Sequence, residues 1–260
     1  MFQLRKPEII PVNDHIWLLD DHHEATCYVV AGNTQAMVID TSIGFCNIRE
    51  IAESLTSLPL VLVNTHGHID HVGGNWGFET AYMNLADLKV AEEDYGMPRL
   101  RETIRANGLV FPPFTHIEDG HIFDLGGRNV EFITTPGHTN DHAMLYDHKY
   151  GILFAGDMIY FGAIYVQFGN DIMGYSDIDK YIASLKKIRT RCPDLKSIYV
   201  SHNDFITDKD AISLIESALR QVADGTAEGT PLQDEKYGYY MDPPTMRQYT
   251  FDGFSIVAGK

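Results

Sequence analysis

A layered α/β fold is predicted by three observations on this chain of 260 residues. Short apolar runs dominate its first part. Strand-like runs then alternate with helix-periodic segments to the end. Several of those runs stop at Gly or Pro and are followed at once by His or Asp, which places polar residues at buried strand ends.

Residues 16–19 (Ile-Trp-Leu-Leu), 27–30 (Cys-Tyr-Val-Val) and 37–39 (Met-Val-Ile) read as the early strands. Residues 47–58 have helical spacing, with Ile48, Ile51, Leu55 and Leu58 on one side and Asn47 as a reasonable N-cap. The runs Leu60-Val61-Leu62-Val63, Glu131-Phe132-Ile133-Thr134, Ile152-Leu153-Phe154-Ala155 and Ser197-Ile198-Tyr199-Val200 read as later strands. Between and after them, residues 177–189 and 208–222 form the clearest late helices.

The chain is long enough for one well-buried core, and without an internal repeat or linker it is expected to form a single domain over 1–260. A segment at about 85–123 reads as an insertion over the site. It carries Phe111-Pro112-Pro113-Phe114, and a second aromatic stretch is Tyr237-Gly238-Tyr239-Tyr240-Met241. These are candidates for setting substrate choice, or for core packing or a homodimer contact. No run of eighteen apolar residues occurs and the N-terminal residues lack an apolar signal region, so neither a membrane span nor secretion is expected. Three scattered cysteines, Cys27, Cys46 and Cys192, fit a reducing cytoplasm better than a disulfide framework. A formal charge of -16 argues against nucleic acid and leaves a small molecule as the expected partner.

The densest signal is Thr65-His66-Gly67-His68-Ile69-Asp70-His71, directly after an apolar run. A sharp turn there can aim His66 and His68 at one metal ion and Asp70 and His71 at another, since imidazole and carboxylate suit zinc and its neighbours. His138, Asp157 and His202 follow at later strand ends. Converging on one sheet edge, they complete seven candidate ligands, enough for two ions. The other histidines, His15, His22, His23, His116, His121 and His148, have no motif context. His142, four residues after His138, is within reach of the site but reads first as a core or solvated side chain.

This pattern resembles the metallo-β-lactamase fold superfamily, from about Asp40 to His202. The resemblance implies a four-layer αβ/βα sandwich, with two sheets face to face and helices outside. It implies that His66, His68 and His138 bind one divalent ion, that Asp70, His71 and His202 bind a second, and that Asp157 bridges them. Asp40 matches an acidic residue that braces the histidine loop. Zinc is the default metal, with iron or manganese accepting the same ligands.

The implied activity is hydrolysis of an ester, lactone or thioester by hydroxide generated from water held between the ions. Asp70 serves also as a proton shuttle. Tyr160, three residues after Asp157, matches a tyrosine that lactonases of this superfamily carry beside the metals, where it can hydrogen-bond the substrate. Glyoxalase II enzymes share the ligands but hold glutathione with basic residues, and residues 161–168 contain neither Lys nor Arg. True β-lactamases lack the bridging Asp. The alternatives are a mononuclear iron oxygenase resembling persulfide dioxygenases and a phosphodiesterase of the same fold.

Overall fold

The computed structural model describes residues 4–92, 100–170, 173–232 and 245–259. The first sheet contains β1 (Glu8–Asn13), β2 (Ile16–Asp20), β3 (Thr26–Ala31), β4 (Ala36–Ile39), β5 (Leu60–Val63), β6 (Ala81–Met83) and β7 (Phe114–His116), in that spatial order. The first four are antiparallel; β4 through β7 run parallel. Helices α1 (Ile48–Leu55), α2 (Ile69–Val72), α3 (Leu88–Glu92) and α4 (Leu100–Ala106) occupy the connections.

The second sheet begins with the meander β8 (His121–Asp124), β9 (Asn129–Thr134), β10 (Ala143–Asp147) and β11 (Ile152–Phe154). The chain then leaves through β12 (Ala163–Val166) and the hairpin of β13 (Gly169–Asn170) and β14 (Gly174–Tyr175). It returns through α5 (Ile178–Arg191) to β15 (Ser197–Tyr199), parallel to β11, with β16 (Ile206–Thr207) at the edge. After α6 (Asp210–Ala223), β17 (Thr230–Pro231), β18 (Arg247–Thr250) and β19 (Ser255–Ala258) join β12 in a small third sheet.

Side-chain alternation turns these strands into layers. Tyr28 and Val30 of β3, and Met37 and Ile39 of β4, point inward to meet Phe132 of β9, Leu145 of β10 and Phe154 of β11. Cys27, Val29 and Val38 point outward against Ile48 and Ala52 of α1. On the far side, Ile133, Met144, Leu153 and Ile198 pack on Tyr181, Leu185 and Ile188 of α5 and on Ile212, Ile215 and Leu219 of α6. Central strands are therefore apolar on both faces, which is why they read as continuous hydrophobic runs. The layers are helix, sheet, sheet, helix, the expected αβ/βα sandwich.

The helix expected over 47–58 ends early. Asn47 caps it, its side chain accepting from the Glu50 N–H at 3.2 Å, but Thr56 already has extended backbone, so Leu58 lies beyond the helix. The chain needs that extension to enter β5, whose Leu60 pairs with Ala36. In α5 the Asp177 side chain caps the Lys180 N–H at 2.9 Å, and the helix continues to Arg191.

Two ion pairs to buried carboxylates stiffen this frame. Arg128, 2 % exposed at the β8–β9 turn, pairs with Asp147 at 2.6 Å and donates to the Ala31 carbonyl of the other sheet at 2.9 Å. Arg128→Met leaves Asp147 charged and buried without its cation, so it is expected to lower the unfolding free energy by about 3–5 kcal/mol in a urea titration. A loss under about 1 kcal/mol contradicts this account of the inter-sheet tie.

Asp21 accepts from Arg5 Nε at 2.6 Å and from Ser42 at 2.7 Å. Burial pushes its pKa up, but Arg5, Ser42 and Cys46 outweigh that and hold it below the usual carboxylate range. A depressed folded pKa stabilises the fold fully above the unfolded value and loses that contribution as pH falls through the folded one. Asp21→Asn is therefore expected to cost about 1–3 kcal/mol at neutral pH and to converge with the parent in strong acid. A deficit that stays constant down to acid pH contradicts it.

Candidate metal centre

Parallel registry brings the key strand ends together. β4 and β5 run side by side, as do β11 and β15, and β9 shares their direction because both it and β11 are antiparallel to β10. Their C-terminal ends therefore carry Asp40, the His66–His71 motif, His138, Asp157 and His202 to one edge of the sandwich. The sheets are joined there by backbone bonds from Ala143 N–H to Thr65 O at 2.8 Å and from Thr26 N–H to Ser201 O at 2.9 Å. Three non-glycine residues at this edge take left-handed backbone: Asp40 (φ 60°), Ser42 (57°) and Asn203 (65°). Such strain is retained where surrounding contacts over-determine it.

His66, His68, His138 and Asp157 each present one donor atom, all within 4.8 Å of one another, and Asp70, His71, Asp157 and His202 form a second such group. Asp157 belongs to both. Its Oδ2 faces His138 Nε2 at 3.6 Å and His66 Nε2 at 3.9 Å, while its Oδ1 faces His71 Nε2 and His202 Nε2, each at 3.1 Å. Asp70 Oδ2 lies 3.5 Å from His202 Nε2 and 3.8 Å from His71 Nε2. Ligands bound at about 2.0–2.1 Å in a tetrahedron lie about 3.3 Å apart, so these spacings suit one divalent ion per group.

The remote ring nitrogens are engaged with protein oxygens. His71 Nδ1 meets Asp40 Oδ2 at 2.8 Å, His68 Nε2 meets the Met173 carbonyl at 2.9 Å, and His138 Nδ1 meets the Tyr165 carbonyl at 3.2 Å. His66 Nδ1 lies 3.0 Å from Thr65 Oγ1, which itself donates to Asp40 Oδ2 at 2.8 Å. Each of these four imidazoles thus turns its other nitrogen toward the centre, the arrangement that fixes metal-binding histidines. Among the described residues, His66 Nε2 is buried with no hydrogen bond, and His71 Nε2 and Asp157 Oδ1 have only each other and His202 within reach. Buried polar atoms of this kind need a partner, and a cation fits the donor set.

Electrostatics point the same way. Burial pushes the pKa of His66 well below the usual histidine range, and His71 and His68 add to that. Burial opposes charge on His71 too, but Asp157, Asp70 and Asp40 outweigh it and hold its pKa well above that range. Burial likewise raises the Asp157 carboxyl, yet His202 and His71 hold it well below the ordinary value. Protons cannot satisfy these histidines evenly. A divalent ion, which takes neutral imidazole and ionised carboxylate, can.

Other expected site residues are placed as follows. Asp40 accepts from the Thr65 N–H and hydroxyl, both at 2.8 Å, as well as from His71. The Tyr160 ring lies 5.6 Å from that of His202, and its hydroxyl donates to the Ala163 carbonyl at 2.5 Å. Phe111 lies under the Arg101 guanidinium, and Phe114 packs beside α1. The stretch 237–241 lies outside the described residues. His142, read from sequence first as a core or solvated side chain and second as approaching the site, is fully buried with its ring 5.0 Å from that of His66. The polar set behind the motif was not anticipated: Asn64 Nδ2 donates to the His71 carbonyl at 2.9 Å, and Asn75 Nδ2 donates to Asn64 Oδ1 at 2.8 Å.

A sandwich with this donor cluster at one edge defines a metallohydrolase. Comparison with known proteins gives the family: residues 21–202 match the metallo-beta-lactamase superfamily, and the chain belongs to it. Acyl-coenzyme A thioesterase MBLAC2 of Homo sapiens is 25% identical over 66% of this chain and 71% of its own length. A hydroxyacylglutathione hydrolase of Francisella tularensis subsp. novicida is 26% identical over 83% of this chain and 80% of its own. Among solved structures, a metallo-beta-lactamase from Pontibacter korlensis superposes with a TM-score of 0.62 at 20% identity, covering 83% of this chain and 99% of that one. Among the described residues, no helix is long and apolar enough to cross a membrane.

Proposed function

We propose that this chain is a dinuclear metal-dependent hydrolase of an ester, lactone or thioester, with an acyl thioester as the first substrate to test. The observation that carries this reading is the split of Asp157, one oxygen toward His66 and His138 and the other toward His71 and His202. Two ions held there by these residues would supply Lewis acidity toward the acyl oxygen and would lower the pKa of bound water. The proposed ligands are His66, His68 and His138 on one side and Asp70, His71 and His202 on the other, with Asp157 shared. Zinc is the proposed metal; iron and manganese suit the same donors.

Asp70, whose side chain is 26% exposed, is the proposed proton carrier to the leaving group. Tyr160 is the proposed substrate-facing phenol beside His202. To donate to a substrate oxygen it must exchange its bond to the Ala163 carbonyl. Phe168, its ring 6.0 Å from that of His138, packs in a buried apolar cluster with Met173 and Tyr165 and is the proposed apolar neighbour of the acyl group. Two relatives are named for thioester substrates, which supports a thioester. The lack of basic residues over 161–168 favours an acyl carrier other than glutathione. Buried free thiols at Cys27, Cys46 and Cys192 support a cytoplasmic location.

The test is a hydrolysis panel on metal-loaded protein: an acyl-coenzyme A thioester, a hydroxyacylglutathione, an N-acyl homoserine lactone, an aryl ester and a phosphodiester. Turnover of an acyl substrate is expected. Turnover of the phosphodiester alone, or oxygen consumption with no hydrolysis, contradicts the reading.

A further inference from the structure

Asp157 lies in a single 3₁₀ turn, Gly156–Met158, whose preceding residue is Ala155. The first N–H groups of a helical turn lack internal partners and are commonly capped by a side-chain oxygen from the preceding residue. Alanine has none. The Asp157 N–H donates instead to His142 Nε2, at 3.2 Å. A backbone N–H only donates, so Nε2 must be the unprotonated nitrogen. The proton then sits on Nδ1, which donates to Thr135 Oγ1 at 2.9 Å. Thr135 is itself fixed, its N–H donating to the His142 carbonyl at 2.8 Å. Both ring nitrogens of this fully buried histidine are thereby used on protein groups. The fit is close: a Cβ on Gly156 would stand 2.7 Å from His142 Nε2. On the other side of the turn, Tyr181 Oη donates to the Met158 carbonyl at 2.8 Å, with the Asp157 carbonyl 3.1 Å away.

We propose that His142 is a positioning residue for the bridging carboxylate. It binds no metal, and from the residue before β10 it caps the Asp157 turn in the tautomer that the Asp157 N–H requires, with Thr135 Oγ1 accepting from Nδ1. This rests on the reading of Asp157 as a shared ligand. The role differs from core filling, because it requires an acceptor at the Nε2 position rather than a ring of the right volume.

The experiment is titration of metal-free protein with Co(II), followed by visible absorption and by competition with a chelator, in the parent, His142→Leu, His142→Gln and Thr135→Val. The melting temperature of each metal-free protein is recorded alongside. Leu removes the acceptor, while Gln can return an amide oxygen to the Nε2 position. His142→Leu is expected to weaken Co(II) retention about 10–100-fold, Thr135→Val to weaken it in the same direction, and His142→Gln to recover most of the loss. Equal Co(II) affinity in the parent, Leu and Thr135→Val proteins overturns the role of His142 alone, as does an equal loss in Leu and Gln at equal melting temperatures. Should the Leu protein fail to fold, Gln and Thr135→Val decide by the same criteria: parent affinity in Thr135→Val overturns the role. A parent protein that takes up no Co(II) overturns the metal-site reading and the role of His142 with it.

Discussion

Asp157→Ala is expected to lower kcat/KM for the proposed acyl substrate by at least about a thousandfold, equivalent to about 4 kcal/mol of transition-state stabilisation. The size follows from geometry. His68 or His138 serves one donor group, whereas Asp157 serves both and separates them by its two oxygens. On the proposed dinuclear reading, its removal leaves three histidines on one side and Asp70, His71 and His202 on the other, with no shared ligand between the two groups. It also removes the carboxylate that draws His71 and His202 toward the centre, each 3.1 Å from its Oδ1. Metal content should fall with activity, while far-ultraviolet circular dichroism stays native, because the turn's backbone is still held by His142 and Tyr181. Activity within tenfold of the parent contradicts the shared-ligand account.

Asp40→Ala should act through both stability and metal affinity. The carboxylate is 1 % exposed, has left-handed backbone, and accepts three hydrogen bonds. Alanine leaves the Thr65 N–H, the Thr65 hydroxyl and the His71 Nδ1–H without their acceptor. An orphaned buried donor costs about 1–3 kcal/mol, so a total of about 3–5 kcal/mol is expected. In a chain of this size that lowers the melting temperature by about 10 °C. Metal affinity should also drop about 10–100-fold, as for other groups that orient ligands. Asp40→Asn separates the two effects. Its amide oxygen can keep the Thr65 N–H bond, but its NH₂ then faces a donor, so fold recovers more than metal affinity does. Calorimetry and metal titration check both; an Asp40→Ala protein with parent melting temperature and metal affinity contradicts the brace.

The parts of this centre legible in sequence are those encoded locally. His66 to His71 fall within one turn after β5, and His138, Asp157 and His202 each follow an apolar run that becomes a strand. Continuous apolar runs marked strands buried on both faces, and Asn47 and Asp177 marked two helix starts. Less legible were features set by partners distant in sequence. The capping role of His142 depends on a backbone N–H fifteen residues away across a strand pair. The Arg128 tie depends on the Ala31 carbonyl of the opposite sheet. Strand β1 was not anticipated because it is an edge with half-exposed residues. Strand β10, although fully buried, starts directly after His142 and was hidden behind a histidine read as bland. For Tyr160 the sequence position gave proximity to His202, but the orientation of its hydroxyl toward Ala163 is a property of the packed segment.

The most direct test of the dinuclear reading is metal content by mass spectrometry on protein purified without added metal, with hydrolysis measured on the same sample before stripping, after stripping, and after metal is returned. About two first-row divalent ions per chain are predicted, with hydrolysis lost on stripping and restored as the second ion binds. Full hydrolysis from protein that holds one ion or none contradicts it.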